Sequence, residues 1–280
     1  MTEDQRDVVG GVFDRVADTY DAVGVDFFQP IADGLVAELA PAPGERCLDV
    51  GCGRGAALFP LARAVVSAGQ PGPGSVVGID LSPNMVAATA ADAAGSGLPI
   101  EVHVGDAQGP DVLAESFDLV ASSLVLFFLS DPADALRAWR AALVPGGRVG
   151  VSTFGDYSPG WRDVDAVFAP YLPKQMADPR TQDSESPFAS DAGVERLLTA
   201  AGFSEIRTVT TTVAVRFVDE EQWYRWTWSQ GQRRMWEAVP EDDRAAVRSE
   251  AGERLERMRD DEGRIGFDQI ARFTLGRNPA

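Results

Sequence analysis

Histidine is almost missing from this 280-residue sequence, with His103 the single example. It alternates with Val102 and Val104 in a strand-like run, which makes it a structural strand residue rather than a catalytic base. Cysteine is nearly as scarce. Cys47 and Cys52 share one short segment that reads as a buried strand and its following turn, too extended to let them bridge. Two such thiols make no disulfide framework, so a reducing cytoplasm is the expected compartment. Lysine occurs once, at Lys174, and the Arg, Ala and Gly bias carries no mechanism. Basic charge is heavily outweighed: the formal net charge is −18. That argues against a phosphate-backbone partner and otherwise means solubility. Long hydrophobic runs are absent too. The longest, "LVASSLVLFFL" at 119–129, is too short to span a bilayer, and the N-terminus has no basic-then-apolar signal pattern. The expectation is a cytosolic protein, monomer or homodimer, with no nucleic-acid or membrane partner.

What the chain does have is alternation. From residue 46, apolar strand-like runs alternate with helix-period segments, the pattern of a parallel sheet covered by helices. "RCLDV" (46–50), "SVVGID" (75–80) and "PIEVHVGD" (99–106) read as the first three strands, and "FDLVASSLVLFF" (117–128) holds a fourth. "RVGVSTF" (148–154) is a fifth. Ser82 and Pro83 open one intervening helix as cap and first residue, and Asp131 and Pro132 open another. Residues 155–189 are rich in Gly, Pro, Asp and Ser and suggest a loop-rich lid. A helix near 190–202 leads into a long strand at 205–217, a charged helical stretch fills 219–262, and 266–277 reads as a closing strand. The expected division is an N-terminal helical lid (1–40), a core (41–155), a loop-rich lid (156–189), a core continuation (190–217), a helical cap (218–263) and a closing strand (264–280).

Chemistry concentrates in "LDVGCGRGA" (48–56). Gly51, Gly53 and Ala56 satisfy the dinucleotide-binding glycine spacing, which alone is weak. Asp49 is the better discriminator. A carboxylate at the strand's end repels a pyrophosphate but suits a cationic sulfonium and ammonium, while the glycines permit close backbone approach to either. Asp80 closes the next strand, where it can accept hydrogen bonds from both hydroxyls of a ribose. Asp106 closes the third, where it can accept from an adenine amino group. Each acid could simply cap a helix or a turn. Three at the carboxyl ends of successive strands mark the place where open α/β sheets bind ligands.

The series "LDVGCGRG", "GIDLSPNM", "GDA", "FDLVASSLVLFFL" and "LVPGGRV" resembles the class I S-adenosylmethionine-dependent methyltransferases. The resemblance covers about residues 45–155, and more loosely the last two strands. It implies an α/β fold with a seven-stranded, doubly wound, mostly parallel sheet whose last strand is antiparallel. An N-terminal helical lid and a helical cap between the last two strands would complete it. It implies Gly51 and Gly53, with Cys52 between them, beside the methionine moiety of S-adenosylmethionine and Asp49 near its ammonium group. Asp80 would hold the ribose, Leu81 and Met85 would flank the adenine, and Gly105, Asp106 and Ala107 would read its edge. Ser122, with Ser123 beside it, would offer backbone to the ammonium end. A Tyr in "FDRVADTYD" matches the family's habit, so Tyr20 is the candidate for contacting the cofactor carboxylate or orienting the nucleophile. The nucleic-acid methylating members carry Asn/Asp-Pro-Pro-aromatic after the fourth strand; here that place reads "SSLV". The carboxylate and amide cluster of metal-dependent catechol enzymes is also missing, so no metal is expected.

Methyl transfer asks chiefly for proximity, alignment and exclusion of water. With no histidine near the reaction centre, the base is Tyr20, an acid such as Asp156 or Glu237, ordered water, or none. That favours an acceptor needing little activation: an electron-rich aromatic carbon, an amine or an acidic phenol. "EEQWYRWTWSQGQRRMW" (220–236) carries five aromatics, which either glue the cap to the sheet or wall a flat aromatic substrate. Candidate substrate contacts are Phe27, Phe28, Phe127, Phe154, Tyr157, Trp223 and Trp226. Arg225, Arg233 and Arg234 suit either a substrate carboxylate or a solvated face. The chain is most similar to bacterial small-molecule methyltransferases of quinone and natural-product pathways, those that alkylate indole carbon included. Two other readings stand beside this one: a nicotinamide-dependent oxidoreductase, and a non-methylating protein that keeps the cofactor as a structural or electrostatic ligand. Asp80→Ala is expected to abolish most cofactor affinity with the fold intact, because a strand-end acid is solvated without ligand.

Overall fold

The computed structural model describes residues 3–66, 74–156, 158–172 and 186–280, with backbone alone for 3–8. Alternating strands and helices build one seven-stranded sheet. Its strands are β1 (Arg46–Val50), β2 (Ser75–Asp80), β3 (Ile100–Val104), β4 (Phe117–Ser123), β5 (Leu143–Phe154), β6 (Ser204–Phe217) and β7 (Ile265–Arg277). Their order across the sheet is β3-β2-β1-β4-β5-β7-β6. The first five run parallel, whereas β7 is antiparallel to both β5 and β6. The order therefore reverses between β1 and β4, and a crevice opens there at the strands' carboxyl ends.

The helices follow from apolar stripes that need cover. On one face α2 (Phe28–Leu39) and α3 (Leu58–Val65) bury Leu35, Leu39, Leu58 and Leu61. On the other, α5 (Pro132–Ala142) and α7 (Asp191–Ala200) bury Leu136, Trp139 and Leu198. Between them in sequence, α4 (Pro83–Ser96) packs on β2 and β3, with Ser82 capping it by accepting from the Met85 amide at 3.1 Å. The insertion between β6 and β7 forms α8 (Glu220–Trp228), α9 (Arg233–Ala238) and α10 (Glu241–Glu256).

Three local expectations change. The fourth strand stops at Ser123 because Leu124 turns into left-handed backbone, φ 60°, with its amide bonded to Ser152. The fifth begins at Leu143, earlier than the glycines suggest, with a register shift against β4 between Phe117 and Leu119. Within the stretch expected to be loop, Pro159–Asp165 forms helix α6, started by Pro159 and buried through Trp161 and Val164. Tyr157 and residues 173–185 of that stretch lie outside the described residues.

Candidate active site

The turn after β1 passes through left-handed backbone that glycine adopts without strain. Gly51 has φ +73°, and a Cβ there would meet Val125 at 2.4 Å. Gly53 has φ +49° with open space before it. The amides of Gly51 and Cys52 both donate to the Ile79 carbonyl of β2, at 2.8 and 2.9 Å. The Gly53 amide donates to the Asp80 carboxylate at 2.8 Å. The Ser82 amide takes the other Asp80 oxygen at 2.9 Å. Asp80 is therefore half-buried and structural as well as exposed to ligand, contrary to the expectation of a solvated acid. Removing its carboxyl also releases the glycine turn.

Two adjoining cavities meet at this turn, sharing Tyr20, Phe28, Gly51, Gly53 and Ser123. The larger, about 220 Å³, runs from Asp80, Leu81, Met85, Asp106 and Ala107 past Val125 to a wall of aromatic rings. The smaller, about 90 Å³, is lined by Asp21, Gln29, Asp49, Cys52 and Arg54 along with the shared residues.

Asp49 is 1% exposed, and neither of its carboxylate oxygens has a hydrogen-bond partner. Burial pushes its carboxyl up to about 7, and the Asp80 charge pushes the same way. The Leu58 amide at the start of α3 tempers the shift without completing a hydrogen bond. A buried acid with two open acceptors is a receptor for a cation, and an ammonium group fits the chemistry. Asp80 is also raised, chiefly by burial, with its backbone partners opposing. Beyond its two amide bonds, its lone pairs remain for ribose hydroxyls. Asp106 accepts from the Gln108 amide at 2.9 Å, and the Ala107 carbonyl receives Trp139 Nε1 at 2.8 Å, which fixes this strand end.

The remaining sequence candidates divide. Leu81, Met85, Phe27, Phe28, Phe127, Phe154 and Trp226 line the larger cavity. Phe27 meets Phe28 edge-on at 4.9 Å and Trp226 at 5.3 Å, and Phe127 lies 5.4 Å from Phe154. Gly105 lines neither cavity; its amide donates to the Asp80 carbonyl at 2.9 Å. The Ser122 side chain turns into the sheet, donating to the Val50 carbonyl at 2.9 Å, while Ser123 takes the cavity side. Adjacent side chains along β4 face opposite ways, and the Ser122 side-chain bond leaves the expectation for its backbone unaffected. Trp223 is fully buried, packed 6.0 Å from Trp236, and is absent from the cavity walls. Of the two tryptophans a turn apart on α8, only Trp226 reaches the site.

Several wall residues escaped the sequence: Trp161, Phe267, Gln269, Gln230, Gln232 and Phe128. Phe267 and Gln269 stand two apart on β7 and share a face, a signal available once that strand is assigned. Trp161 stacks on Phe267 at 4.0 Å from the short helix α6. Gln230 Nε2 donates to Gln232 Oε1 at 2.7 Å, and Gln232 Nε2 donates to Asp165 at 3.0 Å.

None of the candidate bases is poised to take a proton. Tyr20 stacks on Phe28 at 4.7 Å, and burial with the Asp21 and Asp80 charges holds its phenol well above its ordinary range. It stays a neutral phenol. Asp156 is exposed, and Glu237 is paired with Arg15 and Arg233; neither lines the cavity. His103 is exposed on β3, near Glu101. Arg225, Arg233 and Arg234 also stand outside both walls.

This sheet order, with its glycine turn and strand-end acids, defines a Rossmann-like methyltransferase fold. A methyltransferase-domain family model matches residues 48–151. The nocamycin O-methyltransferase of Saccharothrix syringae is 42% identical over 251 residues, covering 85% of this chain and 88% of its own. The aklanonic acid methyltransferase DauC of Streptomyces sp. strain C5 is 42% identical over 165 residues, or 59% of this chain and 69% of its own. The solved Bacillus halodurans C-125 protein BH2331 superposes with a TM-score of 0.56 at 19% identity, covering 89% of this chain and 99% of its own. The chain belongs to the class I S-adenosylmethionine-dependent methyltransferases, and S-adenosylmethionine is its cofactor.

Proposed function

We propose that this enzyme of bacterial natural-product metabolism methylates an acidic oxygen, a carboxylic acid before a phenol, on a flat aromatic metabolite. The observation that carries the reading is a cavity walled by Phe27, Phe127, Phe154, Trp161, Trp226 and Phe267 that joins the proposed cofactor residues and, among the described residues, has no titratable side chain beside those rings, its acids Asp80 and Asp106 standing at the cofactor's end. An acceptor that is already an anion needs no base. The names of the two relatives, one an O-methyltransferase and one acting on an acid, support oxygen over carbon or nitrogen.

When bound, the cofactor supplies a methyl group on a cationic sulfur. Asp49 would hold its ammonium group, Asp80 its ribose and Leu81 and Met85 its adenine. Tyr20 and Phe28 would close over the junction between the two cavities. The aromatic wall would exclude water from the acceptor oxygen and keep the local dielectric low. Opposite charges that disappear together lose little solvation there, so the transition state gains relative to water. Gln230 and Gln269, neutral amides among the rings, would orient substrate carbonyl or hydroxyl groups without adding charge.

Initial rates with an aromatic carboxylic acid and its matched primary amide test this reading. The acid is expected to be methylated and the amide not, with a rate that stays flat with pH once the acceptor is ionised and Asp49 is saturated with cofactor. Comparable turnover of the amide would overturn it.

A further inference from the structure

We propose that Arg54 is the receptor for the α-carboxylate of the cofactor's amino-acid end, and that it ties occupancy of that end to the N-terminal helix. The proposal rests on the cofactor assignment above. Arg54 occupies the variable position inside the glycine turn and lines the smaller cavity with Asp49. Among the described residues it is the one cationic side chain lining either cavity.

Its guanidinium is held from two sides. Nη1 donates to the Ala17 carbonyl at 2.9 Å, and Nη2 pairs with Asp92 of α4 at 2.6 Å. Nε is buried and has no partner. The same cavity thus contains one buried acid with two open acceptors and one half-buried arginine whose Nε–H is buried and unpartnered. That pair is complementary to a zwitterion, ammonium toward Asp49 and carboxylate toward Arg54. The planar fork leaves Nε–H fixed once both terminal nitrogens are engaged, so the site is preorganised for an anion.

Ala17 directly follows α1 (Glu3–Val16). A carboxylate on Nε therefore bears on the same rigid group that grips the chain behind α1. On α1 itself, Asp14 accepts from Ser82 Oγ at 2.8 Å and from the Asn84 amide at 3.0 Å. Those bonds hold the helix to α4 whether or not the cavity is filled. Arg54 adds a hold on the next residues that depends on the ligand.

Isothermal titration of wild type, Arg54→Met and Arg54→Lys with S-adenosylhomocysteine and with its analogue lacking the carboxylate separates the possibilities. Wild type is expected to prefer the carboxylate-bearing ligand by about tenfold or more, as for a hydrogen bond to a charged group. In Arg54→Met that preference is expected to fall to about threefold or less, with Arg54→Lys between. Amide exchange across residues 14–22 should slow when S-adenosylhomocysteine binds wild type and slow less in the variants. An undiminished preference, or equal weakening of both ligands, would show that Arg54 only supports the turn. Should Arg54→Met fail to fold, the ratio in Arg54→Lys decides. Wild type binding neither ligand overturns the cofactor assignment itself, a result distinct from any of these.

Discussion

At the scale of single residues, Asp49 is the group on which the proposed cofactor site turns. Its carboxyl is held at about 7 by burial and by Asp80. The folded chain therefore binds this proton at a higher pH than the unfolded chain does, and an ionised Asp49 costs the unliganded fold stability. Its contribution to stability is most favourable below the ordinary carboxylate range, near 4, and is lost as pH rises through about 7. Cofactor affinity should move the other way, because an ammonium partner binds the ionised form. The dissociation constant of S-adenosylhomocysteine is expected to rise by up to about tenfold per unit as pH drops below 7, and to be flat above it. Asp49→Asn should remove this pH dependence and weaken binding throughout; titration calorimetry across pH 5.5–8.5 checks both. Tyr20 makes a different prediction. Its phenol stays neutral, so Tyr20→Phe should leave the pH–rate profile unchanged and alter kcat/KM by about threefold or less. Tyr20→Ala should cost more, because it removes the stack on Phe28 as well. A basic limb lost in Tyr20→Phe would restore tyrosine as a proton acceptor.

Among secondary-structure elements, α1 makes contact with two separate parts of the molecule. Asp14 attaches it to the start of α4, and the adjacent Arg15 reaches Glu237 of α9 at 2.7 Å. Both ends of that second link are partly exposed, so its loss should cost about 1 kcal/mol or less of global stability. Its expected effect is local: Arg15→Ala should speed amide exchange in α1 while the core strands keep their protection. The strand-end acids and the glycine turn were legible in the sequence because short apolar strand-like runs ended on them. Helix α6 was not, since its seven residues carry a starting Pro and too few turns to show a helical period. Trp161 was lost with it. Trp223 was misassigned for a related reason: an aromatic-rich helix names the rings but not which face meets the sheet.

For the whole molecule, the sheet reversal between β1 and β4 opens the crevice proposed to hold the cofactor, and the β6–β7 insertion contributes Trp226, Gln230 and Gln232 to the adjoining cavity wall. The sequence pointed to the sheet, the insertion and the rings Phe27, Phe127, Phe154 and Trp226, but not to Trp161 or Phe267; the wall is assembled from the segment before α2, the turn after β4, β5, α6, α8 and β7. Those pieces are distant in sequence and meet only through packing. Among the described residues their chemistry is one-sided: rings and neutral amides, with the acids confined to the proposed cofactor end. That asymmetry is the physical basis for assigning an anionic oxygen acceptor.

Transfer from cofactor carrying a carbon-13 methyl group, into a panel of aromatic carboxylic acids, phenols, amines and indoles, tests this assignment most directly. The methyl resonance of the product reports the atom it joins. An oxygen-bound methyl, formed on acids in preference to the rest, is the expected result. A methyl bound to carbon or nitrogen as the main product would contradict the account.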